Sequence, residues 1–168
     1  MLTRDAFDLW KAGRLEEAAA CYRDALAATP AADDSWRGEA HSELAAVLQD
    51  LGDRAGALYH LQAAVDTARR CTGSDAPLEV VITRYFLADH LRRQGKVEEA
   101  LAAIAPSLDA GAEKAWLLYM VEAEALLALG RRDYAAVAAE RALTLAPSED
   151  KRTELAARFA AAGLEADR

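Results

Sequence analysis

The sequence has little of what would direct a chain to a membrane or a nucleic acid. Its longest uncharged stretches, such as residues 100–108, fall far short of the roughly 20 residues that a spanning helix needs. Twenty basic against 28 acidic residues give a net charge of −8, which repels nucleic-acid backbones and anionic membrane surfaces. We therefore expect a soluble cytoplasmic protein that has neither nucleic acid nor membrane as a partner.

Side chains that usually carry catalysis or bind metals are also few. The two cysteines, Cys21 and Cys71, are predicted to be small apolar fillers rather than a disulfide, which fits a reducing compartment. His41, His60 and His90 fall in three different helices, without a His-Glu-x-x-His or Cys-x-x-Cys arrangement. No nucleophile elbow, phosphate-binding glycine loop or dinucleotide fingerprint occurs. The sequence therefore predicts no catalytic residue, no metal site and no cofactor.

What the chain does contain is a helix–glycine–helix unit that occurs four times. The turn glycines are Gly13, Gly52, Gly95 and Gly130, at spacings of 39, 43 and 35 residues. Alanine stands seven residues before and five residues after each glycine, at Ala6, Ala45, Ala88 and Ala123 and at Ala18, Ala57, Ala100 and Ala135. Small residues at facing positions let two helices approach closely. The pattern therefore predicts four antiparallel helix pairs in one domain with a continuous core.

The four prolines mark where these pairs begin and end. Pro30 and Pro147 stop second helices, Pro77 suits the first turn of a helix, and Pro106 is expected to bend or end one near residues 105–108. The predicted repeats span about 1–32, 35–73, 75–111 and 112–147. A capping helix over about 148–163 follows. Its apolar side is expected to cover repeat four, while its charged side, with Glu154 and Arg158, faces water.

On these residues the chain resembles the tetratricopeptide repeat family, whose signature is a small residue in each helix, a glycine turn, an aromatic residue and a closing proline. The match is best in repeat one, through Gly13, Ala18, Tyr22, Ala25 and Pro30, and in repeat four, through Tyr119, Gly130, Ala135, Ala142 and Pro147. The middle spacings exceed the standard repeat of about 34 residues, so helices or linkers there must be longer. The resemblance implies an all-α fold, a right-handed α-solenoid of four helix pairs plus a C-terminal capping helix.

The resemblance also implies a concave groove, lined by the first helix of each pair, that binds other proteins. Positions ten, six and three before the glycines give the candidate groove residues Phe7, Trp10, Ser42, Gln49, Tyr85, Asp89, Arg92, Met120 and Glu124. Family members that bind chaperone C-termini use Lys, Arg and Asn at several of these sites, whereas this chain has mostly apolar, acidic or hydroxyl side chains. The acids favour a ligand with a basic residue beside its apolar anchors.

Alternatives to a groove remain open. Phe7 and Trp10 can instead pack within the first repeat, and Arg92 can belong to a solvated helix end. The leading hypothesis is an adaptor, regulatory or chaperone-like module that binds a peptide or helix of a partner protein. The alternative is a self-associating structural protein, a homodimer formed through Trp36, Trp116 or the end repeats. An enzyme is the third hypothesis, and it lacks the polar cluster that catalysis needs.

Overall fold

A computed structural model of the protein describes residues 2–29, 34–74, 76–108 and 111–164. Within these ranges there are nine α-helices, one short 3-10 helix and no strand, so the predicted all-α fold is confirmed. The α-helices are α1 (Leu2–Lys11), α2 (Leu15–Ala28), α3 (Asp34–Asp50), α4 (Arg54–Ala68), α5 (Ala76–Arg93), α6 (Val97–Ile104), α7 (Trp116–Ala128), α8 (Arg132–Thr144) and α9 (Glu149–Ala161).

The chain divides into two compact units, Met1–Ala76 and Pro77–Arg168. Unit 1 contains α1 to α4, and in it α1 packs on α2, α2 on α3 and α3 on α4. Unit 2 contains α5, from Pro77 onward, to α9, and in it α6 packs on α7, α7 on α8 and α8 on α9. The 3-10 helix Ala105–Ser107 directly follows α6, so Pro106 ends this helix as predicted.

The first helix of each pair ends in the same turn. Gly13, Gly52, Gly95 and Gly130 have φ values of 75°, 79°, 76° and 73°, a region that L side chains rarely adopt. Each glycine N–H donates to the carbonyl three residues earlier, and the next N–H donates to the carbonyl five residues earlier, for example Arg14 to Leu9 at 3.0 Å. This is the Schellman arrangement, which satisfies carbonyls that the helix end leaves unbonded.

The helix α9 ends in this turn as well. Gly163 has a φ of 83°, and the Leu164 N–H donates to the Phe159 carbonyl at 2.9 Å. Gly163 follows Gly130 by 33 residues, close to the standard repeat length of about 34. The helix therefore ends in the way that α1, α3, α5 and α7 end.

The predicted close-contact positions are confirmed by burial. All eight alanines that flank the four turns are 0% exposed. Because a methyl group is the largest side chain that leaves two backbones this close, any larger residue at these positions must push the helices apart. The alanine seven residues before Gly163, Ala156, is exposed instead, since no second helix follows α9 among the described residues.

Each unit has its own apolar core. In unit 1, Tyr22, Leu44, Val47 and Leu48 are almost fully buried. In unit 2 one cluster joins α7 and α8 to Leu155, Phe159 and Leu164 of the C-terminal segment. The expected packing of the apolar side of α9 on repeat four is therefore confirmed, and the core of unit 2 extends to Leu164.

Candidate partner-binding surface

Charged side chains from α5, α7 and α9 meet in unit 2. Arg92 lies 2.7 Å from Asp89 on the same helix and 3.2 Å from Oε2 of Glu124 on α7. Arg93 Nε is 2.8 Å from the second oxygen of Asp89, and Arg158 Nε is 2.5 Å from Oε1 of Glu124. These five residues form one ion-pair network, called here the charged cluster.

The two carboxylates of the charged cluster are largely withdrawn from water. The side chains of Asp89 and Glu124 are 14% and 12% exposed, and that of Arg92 is 22% exposed. Removing one partner of a buried pair leaves an uncompensated charge, which costs about 3–5 kcal/mol. Arg92 is therefore held in a defined arrangement between the two carboxylates, whereas Arg93 and Arg158 are 69% and 43% exposed.

Three residues of the charged cluster line an open pocket of about 370 Å³. Arg92, Glu124 and Arg158 are its charged lining residues, and Leu127, Ala128 and Ala162 are its apolar ones. Tyr85 lies beside the cluster. Burial raises the pKa of its hydroxyl, and the charges of the cluster also act on this pKa. A pocket lined by both apolar and charged side chains suits an amphipathic side chain of a protein ligand.

Four of the predicted groove residues lie in or beside this pocket, namely Tyr85, Asp89, Arg92 and Glu124. A fifth, Met120, also belongs to unit 2, but it is 4% exposed and packs in the core. Met120 therefore offers almost no surface to a ligand. The other four predicted groove residues lie in unit 1.

In unit 1 the predicted anchors have neighbours within the unit. The Phe7 ring packs edge-on against Trp10 at a centroid distance of 5.9 Å, and Lys11 Nζ lies 5.1 Å from the Phe7 ring centroid. Trp10 Nε1 donates to Asp50 Oδ2 at 2.7 Å, which ties α1 to the end of α3. These contacts favour the alternative in which Phe7 and Trp10 pack within the first repeat.

The other two unit 1 candidates lie on α3. Ser42 Oγ donates to the Gly38 carbonyl at 3.0 Å, one turn earlier on the same helix. Gln49 is exposed in the last turn of that helix.

Arg158 was expected to face water, and its side chain is 43% exposed. Its pairing with Glu124 across the gap from α9 to α7 was not predicted. The sequence does carry a signal for this, because Gly163 extends the glycine series by one standard repeat length. Extending the register to Gly163 would have identified α9 as a further first helix beside α7.

A second polar pair lies in unit 1, where His41 Nδ1 of α3 is 2.8 Å from His60 Nδ1 of α4. The two histidines stand eleven residues before and eight residues after Gly52. The corresponding positions in repeat four hold Tyr119 and Ala138, a large and a small residue. No sequence motif pairs the two histidines, because they lie on different helices on either side of the Gly52 turn.

The environment of this pair keeps both imidazoles neutral. Burial, then the proximity of His60 and Arg37, lowers the pKa of His41 to about 4. Burial and Arg23 lower the pKa of His60, while Asp53 acts in the opposite direction. Two nitrogen ligands near two arginines make a poor cation site, and no group of three or more metal-ligating side chains occurs in the described parts of the chain.

Comparison with protein-family models and with curated protein sequences found no match to this chain. None of the helices in the described ranges is long and apolar enough to cross a membrane. The candidate surface therefore has to be judged on its own geometry and charge.

Proposed function

We propose that this chain is a tetratricopeptide-like adaptor that binds a peptide or helix of a partner protein. In this proposal the helix pairs are repeats of a right-handed α-solenoid. The partner segment lies on the surface of unit 2 formed by α5, α7 and α9. The residues that contact it are Tyr85, Arg92, Glu124, Leu127 and Arg158.

The observation that carries the proposal is the pocket of about 370 Å³ at the charged cluster. Successive first helices pack about 8–10 Å apart, so side chains from them can contact successive residues of one bound segment. Arg158 supplies accessible guanidinium nitrogens, because its side chain is 43% exposed and it reaches Glu124 through Nε. A ligand group that accepts from such a guanidinium forms charge-assisted hydrogen bonds.

Self-association is the second candidate function, and the exposed side of α8 favours it. Tyr134 is 70% exposed, Val137 53% and Leu145 48%. The tryptophans that the sequence analysis considered for a dimer, Trp36 and Trp116, instead pack against the cores of their own units. A measured mass of two chains in solution, returned to one chain by Tyr134→Glu, would favour this second candidate over the adaptor.

The adaptor proposal is tested by selecting binders from a random library of 12-residue peptides on the immobilised full-length chain. A buried aromatic contact at an interface contributes on the order of 2 kcal/mol. Tyr85→Ala is therefore expected to weaken a selected peptide roughly thirtyfold. The dissociation constant is measured by fluorescence anisotropy.

The matched control is Glu154→Ala, which removes an exposed ion pair to Lys151 on α9, at 2.5 Å, outside the pocket. This variant should bind the selected peptide as the original chain does. Circular dichroism of both variants establishes that the helices are retained. Failure to enrich any peptide, or equal affinity for the Tyr85→Ala variant, would refute the proposal.

A further inference from the structure

We infer that the segment bound at this pocket contributes a carboxylate, from an Asp or Glu side chain, to Arg158 and Arg92. The inference rests on the proposed function and specifies the ligand chemistry of the same surface. It reverses the sequence-based expectation of a basic ligand residue.

The first argument is the charge balance of the charged cluster. Three guanidinium groups, those of Arg92, Arg93 and Arg158, share two carboxylates, those of Asp89 and Glu124. The cluster therefore carries a local excess of one positive charge, although the whole chain has a net charge of −8. At physiological salt, charges beyond about 8 Å are largely screened, so the nearest groups dominate at the pocket.

The second argument is the balance of donors and acceptors. Arg158 uses its Nε to reach Glu124, and its terminal amino groups have no partner among the residues that the structure describes. Arg92 is 22% exposed and can offer only its terminal nitrogens, because its Nε is buried, although this Nε too has no partner in these ranges. The one acceptor in the same state, Glu124 Oε2, already lies 3.2 Å from an Arg92 nitrogen. The pocket therefore offers more donors than acceptors.

A ligand carboxylate fits the surplus of hydrogen-bond donors at the pocket better than a ligand cation does. Guanidinium groups bind carboxylates through paired N–H···O bonds, and such charge-assisted bonds are about twice as strong as neutral ones. A ligand lysine or arginine would have to displace Arg158 or Arg92 from Glu124, and the displaced guanidinium would remain within a few ångströms as a like charge. The pocket thus disfavours a basic side chain even though one of its lining residues, Glu124, is acidic.

The apolar lining residues determine which groups of the ligand can accompany its carboxylate. Leu127, Ala128 and Ala162 line the pocket together with the arginines. The methylene groups of a Glu side chain, or an adjacent small apolar residue, can cover these apolar residues while the carboxylate reaches the guanidinium groups. The expected ligand is therefore a short segment in which an acidic residue stands beside an apolar one.

The test is a set of three parallel selections with the random 12-residue peptide library. The targets are the original chain, Arg158→Gln and Arg152→Gln, all at full length. Arg152 is the matched control, because it lies on the same helix and pairs with Glu149 at 3.2 Å on an exposed face. Pools from the original chain and from Arg152→Gln should be enriched in Asp and Glu over the starting library, and the pool from Arg158→Gln should lose that excess.

A second measurement does not depend on how the variant proteins fold. One selected peptide is synthesised with its acidic residue and again with the matching amide, Glu to Gln or Asp to Asn. Binding of the amide peptide to the original chain should be at least about tenfold weaker, because a hydrogen bond to a charged group contributes more than a neutral one.

The outcomes separate the inference from the proposed function. Peptides that depend on Tyr85 but are rich in Lys or Arg, or show no acidic excess, would overturn the inference and leave the adaptor proposal standing. Equal affinities for the acidic and amide peptides would do the same. A selection that yields no peptide dependent on Tyr85 would overturn both.

Discussion

Lowering the pH from 7 to 5 should destabilise unit 1 through the His41–His60 pair. In the unfolded chain a histidine has a pKa near 6.5, whereas burial and nearby positive charge lower the folded pKa of His41 to about 4. Below pH 6.5 the unfolded state therefore binds more protons than the folded state. Stability that is fully present at neutral pH is lost as the pH falls towards 4.

The size of the effect follows from these two pKa values. For His41 alone, the difference between pH 7 and pH 5 is about 2 kcal/mol of unfolding free energy. The lowered pKa of His60 acts in the same direction. A doubly protonated pair, with two N–H groups facing each other 2.8 Å apart, is excluded in the folded state.

The assay is urea unfolding followed by tryptophan fluorescence at pH 7 and pH 5. Trp116→Phe removes the reporter in unit 2 and leaves Trp10 and Trp36, both in unit 1. The comparison variant adds His41→Leu and His60→Ala, a large and small pair like the one that repeat four uses. The protein with both histidines should lose at least about 2 kcal/mol more than this variant on acidification. The same pH dependence in both proteins would show that the pair does not titrate as described.

Four further substitutions test the packing, each by the urea midpoint at pH 7. Gly52→Ala should cost about 1 kcal/mol because its φ is 79°, whereas Gly38→Ala, whose added carbon would meet Thr67 at an ordinary 3.6 Å, should stabilise α3 by a similar amount. Ala57→Leu should cost on the order of 1–3 kcal/mol by overpacking, and an unchanged midpoint would contradict the register. Phe159→Ala should cost about 3–5 kcal/mol, since its ring is 1% exposed, and a smaller loss than about 1 kcal/mol would show that α9 contributes little to unit 2.

The helix pairs could be predicted from the sequence because their determinants are local. A glycine at a positive φ and alanines at fixed distances from it mark each turn, and both are visible without knowing what packs on what. The end of α6 at Pro106 was predictable for the same reason, since a missing backbone donor acts within one turn. The division into two compact units was not predicted, because it depends on contacts between helices that lie far apart in the sequence.

The candidate surface was predictable only in part. Asp89, Arg92 and Glu124 were placed on one face by counting back from the glycines, and they do meet. Counting positions from the turn glycines could not predict that three arginines share the two carboxylates. One of the three, Arg158, lies on α9, beyond Gly130, which was the last glycine in the count. Nor could the count predict that Met120 turns into the core, because a first helix packed on both sides buries more than one face.

The proposed binding surface is tested most directly by hydrogen–deuterium exchange of the full-length chain with and without a saturating selected peptide. Binding on α5, α7 and α9 should slow the exchange of amides near Arg92, Glu124 and Arg158 and leave those of α1 to α4 unchanged. Protection confined to unit 1, or to the exposed side of α8 around Tyr134, would contradict a partner site at the charged cluster.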